Sequence, residues 1–344
     1  MDLYILDSSR TPVAVIDNFT SLIWTTRYYT CGDFELYMPA DKSLLEYIRI
    51  DNFIIRENER SVMIIEKIEI KTSAEDGDFF IITGRSLEGL LARRIIWSQT
   101  NISVSDPAEG IRTIVSQNTI DTAAARKIPE FSIDTTFTKV GTLNVQFTGN
   151  NLMEAVTEIC TEFGIGFRIT LENGVFIFEC YEGQEGDVTF SPEFDNLINS
   201  DYSFDMTEYG NCGLAAGEGE GTARKTAAVR TTQTEPSGLD RREVYIDARD
   251  LSSNDGEISD SQYMAKLRQR GNEKLIEAAA KESFESEIEP SMTYHYKTDY
   301  NLGDIVTITN EYGITAKPRI IEIVESWDES GYKVIPTFEE KEVG

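Results

Sequence analysis

One strand pattern occurs twice in this chain, near its start and near its end, and no other feature constrains the fold as much. "NFIIRENE" at 52–59 matches "DIVTITNE" at 304–311 in residue type, with Asn58-Glu59 over Asn310-Glu311. "IIEKIE" at 64–69 then matches "IIEIVE" at 320–325, and Asp76-Gly77 before "DFFIIT" corresponds to Ser330-Gly331 before "YKVIPT". The offset between the copies drifts only from 252 to 256 and back to 254. Short strands resemble one another easily, but three matches in order with a shared turn favour a duplicated β unit. The chain then reads as a β unit, an insert and a second β unit.

The rest of the pattern agrees. "DLYIL" and "VAVI" flank the turn "DSSRTP", and "FTSLIWTTRYY" leads through "TCGD" into "FELYMP", so residues 1–40 read as paired strands. A short helix is expected at 41–49, capped by Asp41 with Leu44, Leu45 and Ile48 on one face. Ser86 reads as the N-cap of another short helix carrying Leu87, Leu90 and Leu91. After about residue 100 the character changes. Asp106-Pro107-Ala108-Glu109 and Asn151-Leu152-Met153-Glu154 are helix starts, and a hairpin turned at Asn173-Gly174 follows the second. Near 260–284 a half-polar helix carries Tyr263, Leu267, Leu275 and Ala278 near one side. The expected class is α+β and β-dominated. A first β domain covers 1–100, an α/β insert 101–190, and a second β domain 191–344 with the long helix.

Composition excludes more than it assigns. Sixty acidic against 32 basic residues give a net charge of −28, which argues against gripping nucleic acid or an anionic membrane. Apolar runs such as "VMII" are too short to span a bilayer, so no membrane insertion is expected, and "MDLYILDSSR" lacks the pattern of a signal peptide. Cys31, Cys160, Cys180 and Cys212 lack metal-ligand spacing and read as reduced packing residues. His295 is the single histidine and sits in the alternating, strand-like "SMTYHYKTDY". No metal and no cofactor are expected.

Three motifs fall short on inspection. Gly84-Arg85-Ser86-Leu87 is followed by Glu88, so GxSxG fails. In "DLSSNDGEISD" the glycine falls at the seventh place from Asp250, where a calcium loop needs it at the sixth. "GLAAGEGEGTARKT" at 213–226 suggests a phosphate loop, but Arg224 occupies the place of the glycine that should precede the lysine. Glu218 and Glu220 would also repel the ligand, by roughly 3 kcal/mol for a carboxylate ~5 Å from a phosphate charge. Gly217, Gly219 and Gly221 suit a bulge or tight turn inside a β framework, with Arg224 expected to pair with a carboxylate of the same or a neighbouring subunit.

"GDFELYMP", "GRSLEGLLARRIIW", "LMEAVTEICTEFGIGFRI", "GEGEGTAR" and "DYNLGDIVTI" together resemble the siphovirus tail proteins of the ReqiPepy type, over residues 32 to about 308. The resemblance implies a structural, non-enzymatic tail-tip hub of a phage or prophage, located in the virion tail tip and made in the host cytoplasm. Such hubs are homotrimers with two tail-tube-like β-barrel or sandwich domains per chain, so that three chains meet a sixfold tube. Implied partners are further copies of the chain, the distal tail or tail tube protein, the tape measure protein, and a tail fibre or tip protein. DNA passes only in transit. On this reading Glu282, Glu285, Glu287 and Glu289 of "KESFESEIEP" are candidates to face the passage, where carboxylates offer DNA no counterion release. The alternatives are a receptor-binding or a cell-wall-degrading tip protein. Sixty carboxylates supply acid pairs at any spacing and discriminate nothing, while HxxEH, HExxH and cysteine–histidine arrangements are lacking.

Overall fold

The computed structural model of the protein describes residues 1–57, 59–73, 77–253, 259–288, 293–339 and 341–343. The chain forms two compact units, Met1–Asn199 with Ser286–Phe338, and Ser200–Glu285 with Glu339–Gly344.

The first unit opens with β1 (Leu3–Leu6), β2 (Pro12–Ile16), β3 (Ser21–Arg27), β4 (Asp33–Pro39), β5 (Phe53–Arg56), β6 (Val62–Ser73) and β7 (Gly77–Ser86). A single turn of helix, α1 (Gly89–Ala92), follows β7. The next elements are β8 (Thr100–Val104), α2 (Pro107–Thr119), β9 (Phe131–Ile133), β10 (Leu143–Phe147), α3 (Leu152–Phe163), β11 (Gly166–Glu172), β12 (Val175–Tyr181) and β13 (Glu185–Phe190). The helix starts act as read. Asp106 accepts from Ala108 N at 3.0 Å and Asn151 from Met153 N at 2.9 Å, and α3 stops at Gly164 with φ +65°.

β14 (Leu197–Asp205) leads into the second unit, with β15 (Cys212–Ala216), β16 (Thr226–Arg230), β17 (Glu243–Asp247), α4 (Asp260–Glu277) and β18 (Ala280–Ile288). The chain continues through β19 (Ile305–Thr309), β20 (Thr315–Ala316), β21 (Ile320–Asp328), β22 (Gly331–Phe338) and β23 (Lys341–Val343). Strands far outnumber helices, so the β-dominated expectation holds.

Nine strands form one antiparallel sheet in the order β2-β1-β5-β6-β7-β4-β3-β21-β22. Alternation along β6 shows why it is buried on both faces. Met63 and Ile65 join a core of Leu3, Ile5, Leu22, Trp24, Leu36 and Ile82, whereas Val62 and Ile64 join a second core. The first core draws on strands across the sheet, so the sheet curls around its own inner face, with Ile48 filling one end. β2 and β22 remain free edges, and the curl stops short of a closed barrel. The second core is shared with the insert. Phe53, Val62 and Ile64 pack with Ile111 and Ile114 of α2, Val156 and Ile159 of α3, and Phe167 and Phe178 of β11 and β12.

The two copies of the repeat agree in their hairpins, β6–β7 and β21–β22, both antiparallel, but not in the strand before them, since β5 pairs with β6. Asn58 and Asp76 lie outside the described residues. Both hairpins belong to the same sheet, because β21 pairs with β3. β19 pairs instead with β13, in parallel, and with β20.

Four local expectations are corrected. Residues 42–47 form turns, with Ser43 N on Asp41 at 2.7 Å and only Ile48 N→Leu44 O at helical spacing, because one turn cannot nucleate a helix. Ser86 ends β7 and its Oγ accepts Gly32 N at 2.8 Å. The α1 N-cap is Glu88. The long helix ends at Glu277, and from Ala280 the alternating "AKESFESEI" is a strand. Residues 293–300 make a turn, bridged between Tyr296 and Tyr300, with Lys297 at φ +70°.

In the second unit α4 lies on the sheet β16-β15-β17, burying Ala215, Ala227, Val229 and Ile246 against Tyr263, Leu267 and Leu275. β14, β18 and β23 form a further sheet.

Candidate functional site

The glycine–glutamate loop is the connection of the antiparallel hairpin β15–β16, closed by Gly217 N→Lys225 O and Lys225 N→Glu218 O, both 2.9 Å. Each glycine has a local reason. A Cβ on Gly217 would stand 2.2 Å from Tyr263 Oη, and Gly219 and Gly221 hold φ of +94° and +53°. The buried Tyr263 of α4 accepts Glu218 N at 2.7 Å and donates to Leu251 O at 3.2 Å. Glu220 is exposed, and its carbonyl accepts Ala223 N.

Arg224 lies near enough to Asp247 to help lower that carboxyl, after Arg249, but its described hydrogen bonds go elsewhere. Its Nε donates to Gly219 O at 3.2 Å and its Nη1 to Tyr245 Oη at 3.1 Å. Within the chain it is Lys225 that meets carboxylates, Glu218 at 3.0 Å and Asp260 at 2.6 Å. Glu218 Oε2 also accepts Ser253 N. That bond, then Lys225, lowers the Glu218 carboxyl below its ordinary value. Asp260 and then Glu218 raise the Lys225 ammonium. The loop therefore clips the hairpin to the start of α4. Lys225, Tyr263 and Ser253 were missed from sequence because two of them lie well over twenty residues away, with no local signal.

Of the acidic candidates, Glu282 lies on β18 opposite Lys341 and accepts from Tyr202 Oη at 3.0 Å. Glu285 and Glu287 lie on the same strand, and Glu289 falls outside the described residues.

A polar cluster that sequence reasoning did not find lies in the first unit. Arg56 and Glu325, 3% and 2% exposed, pair at 2.7 Å between β5 and β21, although four strands separate these two in the sheet. The guanidinium lies over Trp24 at 4.6 Å and Trp327 at 4.9 Å, and Tyr332 Oη donates to Glu325 at 2.8 Å. Lys297 reaches Glu325 at 3.4 Å and Glu59 at 2.6 Å. Burial alone would raise the Glu325 carboxyl, but Arg56, Lys297 and Tyr332 bring it below its ordinary value. The only hint was the place of Glu325 in the repeat.

This cluster lines part of a cavity of about 630 Å³ that also meets Glu88, Arg168 and Thr170. Glu88 accepts Ile169 N at 2.7 Å, and burial raises its carboxyl. Cations and carboxylates in the lining compensate one another. Among the described residues no group of His, Cys, Asp or Glu is placed to hold a metal ion, and no helix is long and apolar enough to cross a membrane.

The fold has counterparts among solved structures. The 43 kDa tail protein of prophage MuSo2 from Shewanella oneidensis superposes with a TM-score of 0.61 at 14% identity, covering 98% of each chain. The tail protein from Neisseria meningitidis MC58 gives 0.56 at 11% identity, over 98% of this chain and 96% of that one. Prophage tail protein gp18 from Listeria monocytogenes EGD-e gives 0.56 at 10% identity, over 98% and 94%. At such identities the likeness is one of fold. A search of curated protein sequences gives no match. The sequence itself fits one family over residues 2–338, nearly its whole length, and the chain belongs to the family of Siphovirus ReqiPepy6 Gp37-like proteins.

Proposed function

We propose that this chain is a structural, non-enzymatic tail-tip hub of a phage or prophage. Three copies form a ring that adapts a sixfold tail tube or distal tail protein to a threefold tip and encloses part of the DNA passage. The observation that carries the reading is the end-to-end likeness to prophage tail proteins, with 98% of both chains covered in the MuSo2 case. The like hairpins β6–β7 and β21–β22, within one sheet, support descent from a duplicated β unit, and two tube contacts per chain would let three chains meet six tube positions. The curled sheet supports a barrel-like ancestry.

The tape measure protein and a fibre or tip protein complete the set of partners. DNA crosses the ring without being held, since carboxylates near the passage, Glu282, Glu285, Glu287 and Glu289 among them, release no counterions. Arg224, whose described hydrogen bonds within the chain go to Gly219 O and Tyr245 Oη, is available to a carboxylate of a neighbouring subunit.

Copy number tests the reading. Light scattering should give a particle of three times the 38.8-kDa chain, alone or once the tail partner is added. Quantitative mass spectrometry of intact virions should count three copies per particle. A count in the tens or hundreds would assign the chain to the tube and end the hub proposal.

A further inference from the structure

Two arginines in this acidic chain stand together without a carboxylate. Arg94 follows α1, and Arg126 lies in the 3₁₀ turn Ala124–Arg126. Arg94 Nε donates to Arg126 O at 3.2 Å and its Nη1 to Arg93 O at 3.1 Å. Arg126 donates to Ile95 O at 2.7 Å and to Asn118 Oδ1 at 3.1 Å. No ion pair within 4 Å involves either residue among the described residues, whereas Arg93 meets Asp51 and Glu66. Burial, then Arg126 and Arg93, lower the pKa of Arg94, as expected of a cation among cations.

Beside them stands an apolar surface. Trp97 is 67% exposed with the Arg126 guanidinium 5.3 Å from its ring centre, and Ile95 is 42% exposed. Backbone hydrogen bonds hold the segment in place. Ile96 exchanges backbone bonds with Asn150 and Gly149, Leu152 N bonds Arg94 O, and Trp97 N reaches Asn118. The cations here are Arg94, Arg126 and the exposed Lys127 that follows it in the chain, and among the described residues no ion pair involves any of the three. Exposed tryptophan beside arginine is the composition of binding hot spots.

We infer that Arg94, Trp97, Arg126 and Lys127 form a docking surface for a carboxylate-rich polypeptide segment carrying an aliphatic or aromatic residue. Carboxylates take the unpaired donors and the apolar residue covers Trp97 and Ile95. Charge complementarity carries the choice, because cations without a described ion pair, next to exposed apolar area, select anionic acceptors joined to an apolar group. The inference does not depend on the hub reading.

The probe is a fluorescein-labelled synthetic dodecapeptide of the repeat Asp-Glu-Leu-Glu, titrated with the full chain and followed by anisotropy. Its control replaces the acids by their amides. The acidic peptide should bind, weaken about ten-fold between 50 and 300 mM salt, and shift the emission of the exposed Trp97 to the blue. Arg94→Glu should weaken binding about ten-fold and Trp97→Ala about five-fold, with the blue shift lost in the latter. Arg268→Glu, the same charge change at an exposed arginine of α4, should alter it less than about two-fold. Because Arg94 bonds two backbone carbonyls, Lys127→Glu serves as a second variant should Arg94→Glu lower the melting temperature. Equal binding of the amide peptide, or equal loss with Arg268→Glu, overturns the inference. So does displacement by polyphosphate at equal charge concentration, which would make the patch a general anion site. Self-association of the wild type that disappears in Arg94→Glu would assign the patch to a second copy and overturn it likewise.

Discussion

Replacing Glu325 with glutamine asks what holds the curled sheet of the first unit. The substitution keeps the side chain's shape and removes the charge facing Arg56, a residue only 3% exposed. Removing one partner of a buried pair costs about 3–5 kcal/mol, because the other charge is left uncompensated. Glu59, 4.0 Å from Arg56, takes up part of the loss, which places Glu325→Gln near 3 kcal/mol. For a unit of this size that lowers Tm by roughly 6–12 °C. Thermal melts at neutral pH would compare it with Arg56→Met, with Glu325→Met and with the double variant Arg56→Met/Glu325→Met. The double variant buries no unpaired charge, so its loss should fall short of the sum of the single Met losses by about 2 kcal/mol or more.

The same substitution has a pH signature. The Glu325 carboxyl lies below its ordinary 4.5 in the folded protein, because Arg56, Lys297 and Tyr332 outweigh burial. A depressed pKa contributes stability above the unfolded value and loses it as pH falls through the folded one. The gap between wild type and Glu325→Gln should therefore be full near neutrality and shrink below pH 4.5. Strictly additive losses, or a gap as wide at about pH 3 as at neutrality, would refute the reasoning.

Gly217→Ala should cost about 1–3 kcal/mol in urea unfolding, since the new methyl must displace Tyr263 Oη from 2.2 Å, and Gly221→Ala, with open space at φ +53°, only about 1 kcal/mol; equal costs would deny the tyrosine its role. Tyr28→Phe removes a hydroxyl that donates to Gly164 O at 3.1 Å and accepts Gly183 N at 3.3 Å and Arg319 at 3.4 Å. A loss of about 1–3 kcal/mol is expected, and a variant as stable as wild type would refute it. Glu88→Gln probes the opposite sign. Burial raises the Glu88 carboxyl, so its contribution is complete below 4.5 and is lost as pH rises through the folded value. The glutamine variant should gain on wild type as pH rises above 4.5, and parallel Tm curves would count against it.

Where local chemistry decides, the sequence was readable. Asp106-Pro107, Asn151 and Asn173-Gly174 each fix a start or a turn within a few residues, and each does so in the structure. The end of α4 was misread because "KESFESEI" carries helix-favouring glutamates while pairing with β23 makes it a strand, a tertiary effect no window sees. The return of β21 onto β3 was likewise hidden, since strand partners some 300 residues apart leave no local mark. Of the loop, the glycines and Glu218 were legible as a turn. The partner of the charge was not, because Lys225 and Arg224 are adjacent cations and only the fold decides which one faces Asp260.

Charge then connects the fold to assembly. Among the described residues the most deeply buried ion pair, Arg56–Glu325, is compensated, and burial favours the neutral form of Glu88, so the chain's large negative excess resides almost wholly on the surface. Such a surface repels duplex DNA, other acidic proteins and further copies of itself, all with a range set by salt. Stable contacts must form where that repulsion is relieved, either at apolar area or at cations not already spent on a neighbour. Arg94 and Arg126 beside Trp97 combine both features. Contacts made there should tighten as salt is lowered, while contacts between bare acidic faces should loosen. A salt titration of any complex this chain forms would therefore report which kind of surface it uses.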